Sequence, residues 1–145
     1  MRSLTGPVLL ALTIAACSSS GYGPDPGDDD ELDVSGTWTV VSTLLENSCV
    51  GLSIPPIQTA EAVIQQNGNQ ISFVLEGVGA VSGTINIETG EFVIDAMVED
   101  PDLGSLRLQE EGRFESDRRY ESEVTVTFED EEISCFFRTS DVGTR

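Results

Sequence analysis

The sequence predicts an all-β domain at residues 34–145: eight antiparallel strands in an up-and-down meander, closed into a barrel. Three observations lead to that fold class. Apolar and polar residues alternate with period two, as in strands that bury one face. Turn-forming residues cut the alternation into eight runs joined mostly by short connections. Cys49 and Cys135 fall just after the first run and near the start of the last, and those runs become neighbours only when the sheet closes on itself.

The chain opens with Arg2 and a mostly apolar stretch from Leu4 to Ala16, 13 residues interrupted by Gly6-Pro7. That is too short to span a bilayer and fits a cleavable targeting segment. Its end, Ile14-Ala15-Ala16-Cys17, resembles the lipobox of bacterial lipoproteins. The resemblance implies a signal peptide over residues 1–16, acylation of Cys17, and membrane lipid as the partner that holds the mature chain. Ser18, not Asp, follows the cysteine, which in that family favours the outer membrane of a double-membrane envelope. With a single membrane, the anchor lies on the outer face of the cytoplasmic membrane. Residues 17–33 are poor in apolar side chains and rich in Ser, Gly, Pro and Asp, which makes them a disordered tether. The acidic run from Asp28 lacks the spacing of a calcium-binding loop.

From Val34 onward the inward faces are taken in order. The first three runs give Trp38-Val40-Ser42-Leu44, Ala62-Ile64 and Ile71-Phe73-Leu75. The next three give Val81-Gly83-Ile85-Ile87, Phe92-Ile94-Ala96-Val98, and Leu106-Leu108 with Phe114. The last two give Tyr120-Ser122-Val124-Val126-Phe128 and Ile133-Cys135-Phe137. Asn67-Gly68 is a two-residue hairpin signal, and Glu88-Thr89-Gly90 suits a three-residue turn. The longest connection, residues 46–59, holds Cys49 and Pro55-Pro56 and has the length of a lid.

With Cys17 committed to lipid, Cys49 and Cys135 remain either as a disulfide or as two buried thiols, and export favours the disulfide. Ser35-Gly36-Thr37-Trp38 carries a G-x-W that resembles the first strand of lipocalin-like, or calycin, barrels and of streptavidin-type barrels. The resemblance implies that Trp38, beside Gly36, plugs the closed base. It also implies that an arginine of the last strand, a place Arg138 fills, packs against the tryptophan.

Composition narrows the function. The chain has 26 acidic residues, seven arginines, no lysine and no histidine, for a formal charge of −19. Absence of histidine removes Ser-His-Asp and Cys-His catalysis and imidazole metal sites. So few basic residues argue against nucleic acid as a partner. No phosphate loop, metal-spaced ligand set or nucleophile elbow is present, so neither an enzyme nor a cofactor is expected. Ser42, Glu110 and Ser122 are the polar exceptions among inward positions. Glu110 is either a ligand contact or, with Glu111-Gly112, a bulge. Acidic residues gather in the loops at the Cys49 end, whereas Arg118-Arg119 lie at the other, where the basic pair is expected to face the lipid surface. Two functions follow: a barrel that holds a small apolar ligand, or a filled barrel acting as a structural or protein-interaction module of the envelope.

Overall fold

A computed structural model describes residues 31–100, 104–129 and 134–145. Cys17, the expected signal peptide, most of the expected tether, the acidic residues 130–132 and the expected inward position Ile133 lie outside the described residues.

The strands are β1 (Gly36–Asn47), β2 (Ile57–Asn67), β3 (Gln70–Leu75), β4 (Gly79–Ile85), β5 (Glu91–Asp100), β6 (Gly104–Ser116), β7 (Arg119–Glu129) and β8 (Ser134–Thr144). Each pairs antiparallel with the next, and β8 returns to β1, so the sheet is a closed eight-stranded meander barrel. Alternation sends every second side chain inward. Trp38, Ile64, Ile71, Phe73, Phe92, Ile94 and Tyr120 are buried almost completely. The outward partners are mostly Thr, Gln, Glu and Asp, with single valines such as Val63 and Val93 between them.

Connection lengths follow local chemistry. The hairpin between β2 and β3 closes on the pair Asn67↔Gln70, so its two turn residues are Gly68 and Asn69, one position later than the sequence signal indicates. Gly68 takes the positive φ there, at 57°. Between β4 and β5, the Asn86 carboxamide oxygen accepts hydrogen bonds from the amides of Glu88 and Thr89, and the Gly90 amide closes the turn onto the Asn86 carbonyl. Strand β4 therefore ends at Ile85, and Ile87 belongs to this turn.

Topology sorts the connections onto two ends. Loop 48–56, the β3–β4 turn and the C-terminal ends of β5 and β7 lie at one end. The three other hairpin turns, the entering residues 31–35 and Arg145 lie at the opposite end. Val34 is fully buried there and Leu32 packs partly on the core, so the barrel's contacts begin just inside the stretch assigned to the tether.

At the first end Cys49 and Cys135 form a disulfide with Cα atoms 5.0 Å apart. The neighbouring Ser48 amide donates to the Phe136 carbonyl at 2.9 Å, so two independent links pin loop 48–56 to β8. The bridge joins residues 86 positions apart, which restricts the unfolded chain strongly. Replacing both cysteines by serine is expected to lower the free energy of unfolding by about 2–5 kcal/mol. Urea denaturation checks this. A denaturation midpoint unchanged from the parent's would show that the bridge adds nothing.

Candidate functional site

The barrel interior has three levels. The lowest is an aromatic plug. The Trp38 ring meets Phe114 edge-on at 5.5 Å and Tyr120 at 5.4 Å, while Phe92 stacks on Phe73 at 5.5 Å. The Trp38 indole N–H donates to the Val34 carbonyl at 2.9 Å, which satisfies the one polar atom of the plug's largest ring. Trp38 of the G-x-W motif thus sits at the centre of an aromatic plug at this end of the barrel.

The arginine partner is different from the one expected. Arg138 pairs across the sheet with Glu46 at the far end of β1 and β8, is partly exposed, and lies 3.8 Å from the Glu46 carboxylate. Level with Trp38 is the end of β8, because Thr39 pairs with Thr144. Arg145 therefore covers the Trp38 ring, its guanidinium carbon 5.5 Å from the ring centre, and it also donates to the Ser35 carbonyl. Gly36 accommodates this: its φ is +144°, and a Cβ there would lie 3.1 Å from the arginine side chain.

Of the expected basic pair at this end, Arg118 is exposed in the β6–β7 turn and Arg119 is tied to neighbouring carboxylates. Arg119 is held by Glu115 and Glu121, and Arg145 lies 3.5 Å from Asp117.

The middle level is polar and occupies one wall. Ser42, Asp141 and Ser122 are cross-strand partners on β1, β8 and β7. Ser122 Oγ donates to Glu110 Oε1 on β6 at 2.7 Å. The structure thus brings together the three polar positions singled out from sequence, and adds Thr139 and Asp141. These two were missed because polar residues end the apolar run of β8. Continuing the alternation from Cys135 and Phe137 leads directly to them. Glu110 is not a bulge: β6 pairs with both β5 and β7 without a register break from Leu106 to Arg113. Gly112 has a packing reason instead, since a Cβ there would stand 2.7 Å from the Phe92 ring and 2.5 Å from the Ser122 side chain.

Burial governs the belt's electrostatics. Glu110 sits between Ile94 and Val124, its cross-strand neighbours. Loss of water raises its pKa to about 7, opposed by the Ser122 hydrogen bond and reinforced by the charge of Asp141. Asp141 is also raised by burial, against hydrogen bonds from Thr139 and Ser42, and its Oδ1 is buried with no partner. Burial pushes the Tyr120 hydroxyl upward too, helped by both carboxyl groups.

The upper level is open. Beneath loop 48–56 lies a cavity of about 380 Å³, walled by Val98, Leu106, Leu108, Val126, Phe128 and Phe137. Leu52, Ile54 and Pro55 of the loop roof it, and Glu99 and Asp100 stand at its rim. Among the described residues no group of His, Cys, Asp or Glu is arranged to hold a metal ion.

The raised Glu110 sets a pH dependence with a definite sign. Between its unfolded value of 4.5 and its folded value of about 7, the folded chain keeps a proton that the unfolded chain has lost. Stability is therefore greatest at and below pH 4.5 for this group, and falls as pH rises to about 7, by about 3 kcal/mol. Asp141 adds in the same direction. Thermal melts at pH 5 and pH 8 are expected to show the lower midpoint at pH 8. Glu110→Gln keeps an acceptor for Ser122 and is expected to flatten the difference; an unchanged pH slope would assign it to other groups.

No protein-family model and no curated protein matches this sequence. In fold, the chain is similar to the solved structure of EF1p2_mFAP2b bound to DFHBI, with a TM-score of 0.54 and 15% sequence identity. That alignment covers 77% of this chain and 94% of the other. The likeness is one of barrel fold.

Proposed function

We propose that this protein is a lipid-anchored lipoprotein of the bacterial envelope, most naturally the outer membrane, that binds a small, largely apolar ligand in the mouth of its barrel. The observation that carries the binding reading is the apolar cavity under loop 48–56. Its volume falls at the low end of ligand pockets, roughly 300–1,000 Å³. The barrel is filled below by the aromatic plug but not above, which favours a binding protein over a purely structural module. The similar barrel noted above is described as bound to DFHBI, which supports a small-molecule ligand by analogy of fold. We assign no catalytic residue.

The anchor rests on Ile14-Ala15-Ala16-Cys17 and the tether after it. The disulfide suits an oxidising compartment outside the cytoplasm.

Two experiments test the two halves. Nile red titrated into the barrel domain (residues 31–145) is expected to brighten and saturate at one dye per chain. Leu106→Trp, which fills the cavity, is expected to weaken that binding at least tenfold with little change in melting temperature. Failure of the dye to saturate would leave the interaction-module reading in its place. For the anchor, the full chain expressed in a double-membrane bacterium is expected to take up radiolabelled palmitate and fractionate with outer membranes. Cys17→Ala is expected to abolish both; an unlabelled parent chain would remove the lipoprotein assignment.

A further inference from the structure

We propose that the outer wall formed by β1, β2, β3 and β4 docks a second copy of this chain, packed sheet against sheet as a weak two-fold dimer. This wall lies outside the cavity, and its occupant does not depend on what the cavity binds.

The wall stands out by what it lacks. From Thr37 to Leu45 the outward positions of β1 are Thr37, Thr39, Val41, Thr43 and Leu45, without a charge. On β2 they are Ile57, Thr59, Glu61, Val63 and Gln65, and β3 and β4 add Ser72, Val74, Ala80 and Ser82. Glu61 is the single charge among them. The other half of the same barrel presents Glu91, Asp95, Arg107, Glu111, Glu121 and Glu123 at equivalent outward positions. Strand propensity does not explain the contrast, because both halves meet the same demand for extended backbone.

The register gathers the wall's apolar side chains. Thr37 pairs with Val63 and Val63 with Val74, so two valines lie side by side. Nearer the mouth, Ile57 lies opposite Thr43, between Val41 and Leu45. Val41, Leu45, Ile57, Val63 and Val74 are each 37–63% exposed. No aromatic ring or basic side chain stands on this wall, so it lacks the anchors that hold a protein at a lipid interface.

Charge selects the occupant. With a formal charge of −19, two copies repel each other unless their carboxylates are kept apart. Stacked sheets lie about 10 Å apart. Charged walls meeting at that distance would set the cross-strand neighbours Glu111 and Glu123 against the same pair of the other copy. Neutral walls turned inward on both copies avoid this and leave both charged halves in water. Closure leaves no strand edge free, so docking is through side chains and not by adding a strand. The stretch of β1 from Thr37 to Leu45 runs about 27 Å and three strands are about 15 Å wide, roughly 400 Å² for each copy. That is about half the area per partner of a standard stable interface, which sets the expected Kd at about 100 µM.

The test is sedimentation equilibrium on residues 17–145 carrying Cys17→Ser, so that no acyl chain adds its own association. Between 10 µM and 1 mM the chain is expected to show a monomer–dimer equilibrium. Raising NaCl from 50 to 500 mM is expected to tighten it at least threefold, because salt screens the net repulsion. Val41→Glu and Ile57→Glu, made singly, are expected to weaken it at least tenfold, and Glu61→Gln to tighten it at least twofold. Met97→Glu, on the charged half, alters a side chain as exposed as Ile57 and is expected to change it less than twofold. A monomer at 1 mM in 500 mM NaCl would overturn the proposal. So would a dimer that Ile57→Glu and Met97→Glu weaken equally, or one that dissociates as salt rises. Should a glutamate variant fail to fold, Glu61→Gln, which removes a charge, decides the matter by itself.

Discussion

The pairing of β1 with β8 is the constraint on which the other features depend. It removes both free edges of the sheet, and it fixes which residues share a level of the interior. Through that seam Ser42 meets Asp141, Thr39 meets Thr144, and the base of β1 comes level with the end of the chain. An open meander of the same strands would leave Trp38 without its arginine, Cys49 without Cys135, and Asp141 without the serine on β1. Plug, clamp and belt are three results of one closure.

The interior is divided by what each level does with its polar atoms. In the plug, the indole N–H has a carbonyl partner and aromatic rings fill the remaining space. In the belt, two carboxyl groups are desolvated and only partly compensated, at a standing cost to stability. Such a cost is seldom kept in a core that packing alone could fill, and sites that bind are where it is commonly tolerated. The belt lies between the cavity's walls and the plug.

Much of the architecture was legible from residue order, because closure and alternation are both written into period two. Inward positions on β1 to β7 follow directly from that pattern, and Gly36-Thr37-Trp38 marks the base. Levels were harder. Arg138 and Arg145 lie on or at the end of the same strand, and only the register against β1 shows which is near Trp38. Thr139 and Asp141 escaped because hydropathy stops signalling where a core turns polar, although the alternation continues through them. Glu110 looked like an interruption for the same reason: a carboxyl at an inward position resembles a bulge until the pairing on both sides is seen to be unbroken.

Both ends of the described chain converge on the base. Val34 is tied to the barrel by its amide to the Gln66 side chain and by its carbonyl to Trp38, and Arg145 closes over the same ring. Tension arriving through the residues before Val34 is therefore taken up by the aromatic plug, and the mouth lies at the far end of every strand. The rim is thus separated from both ends of the described chain by the length of the barrel, and a tag joined at either end leaves it unobstructed.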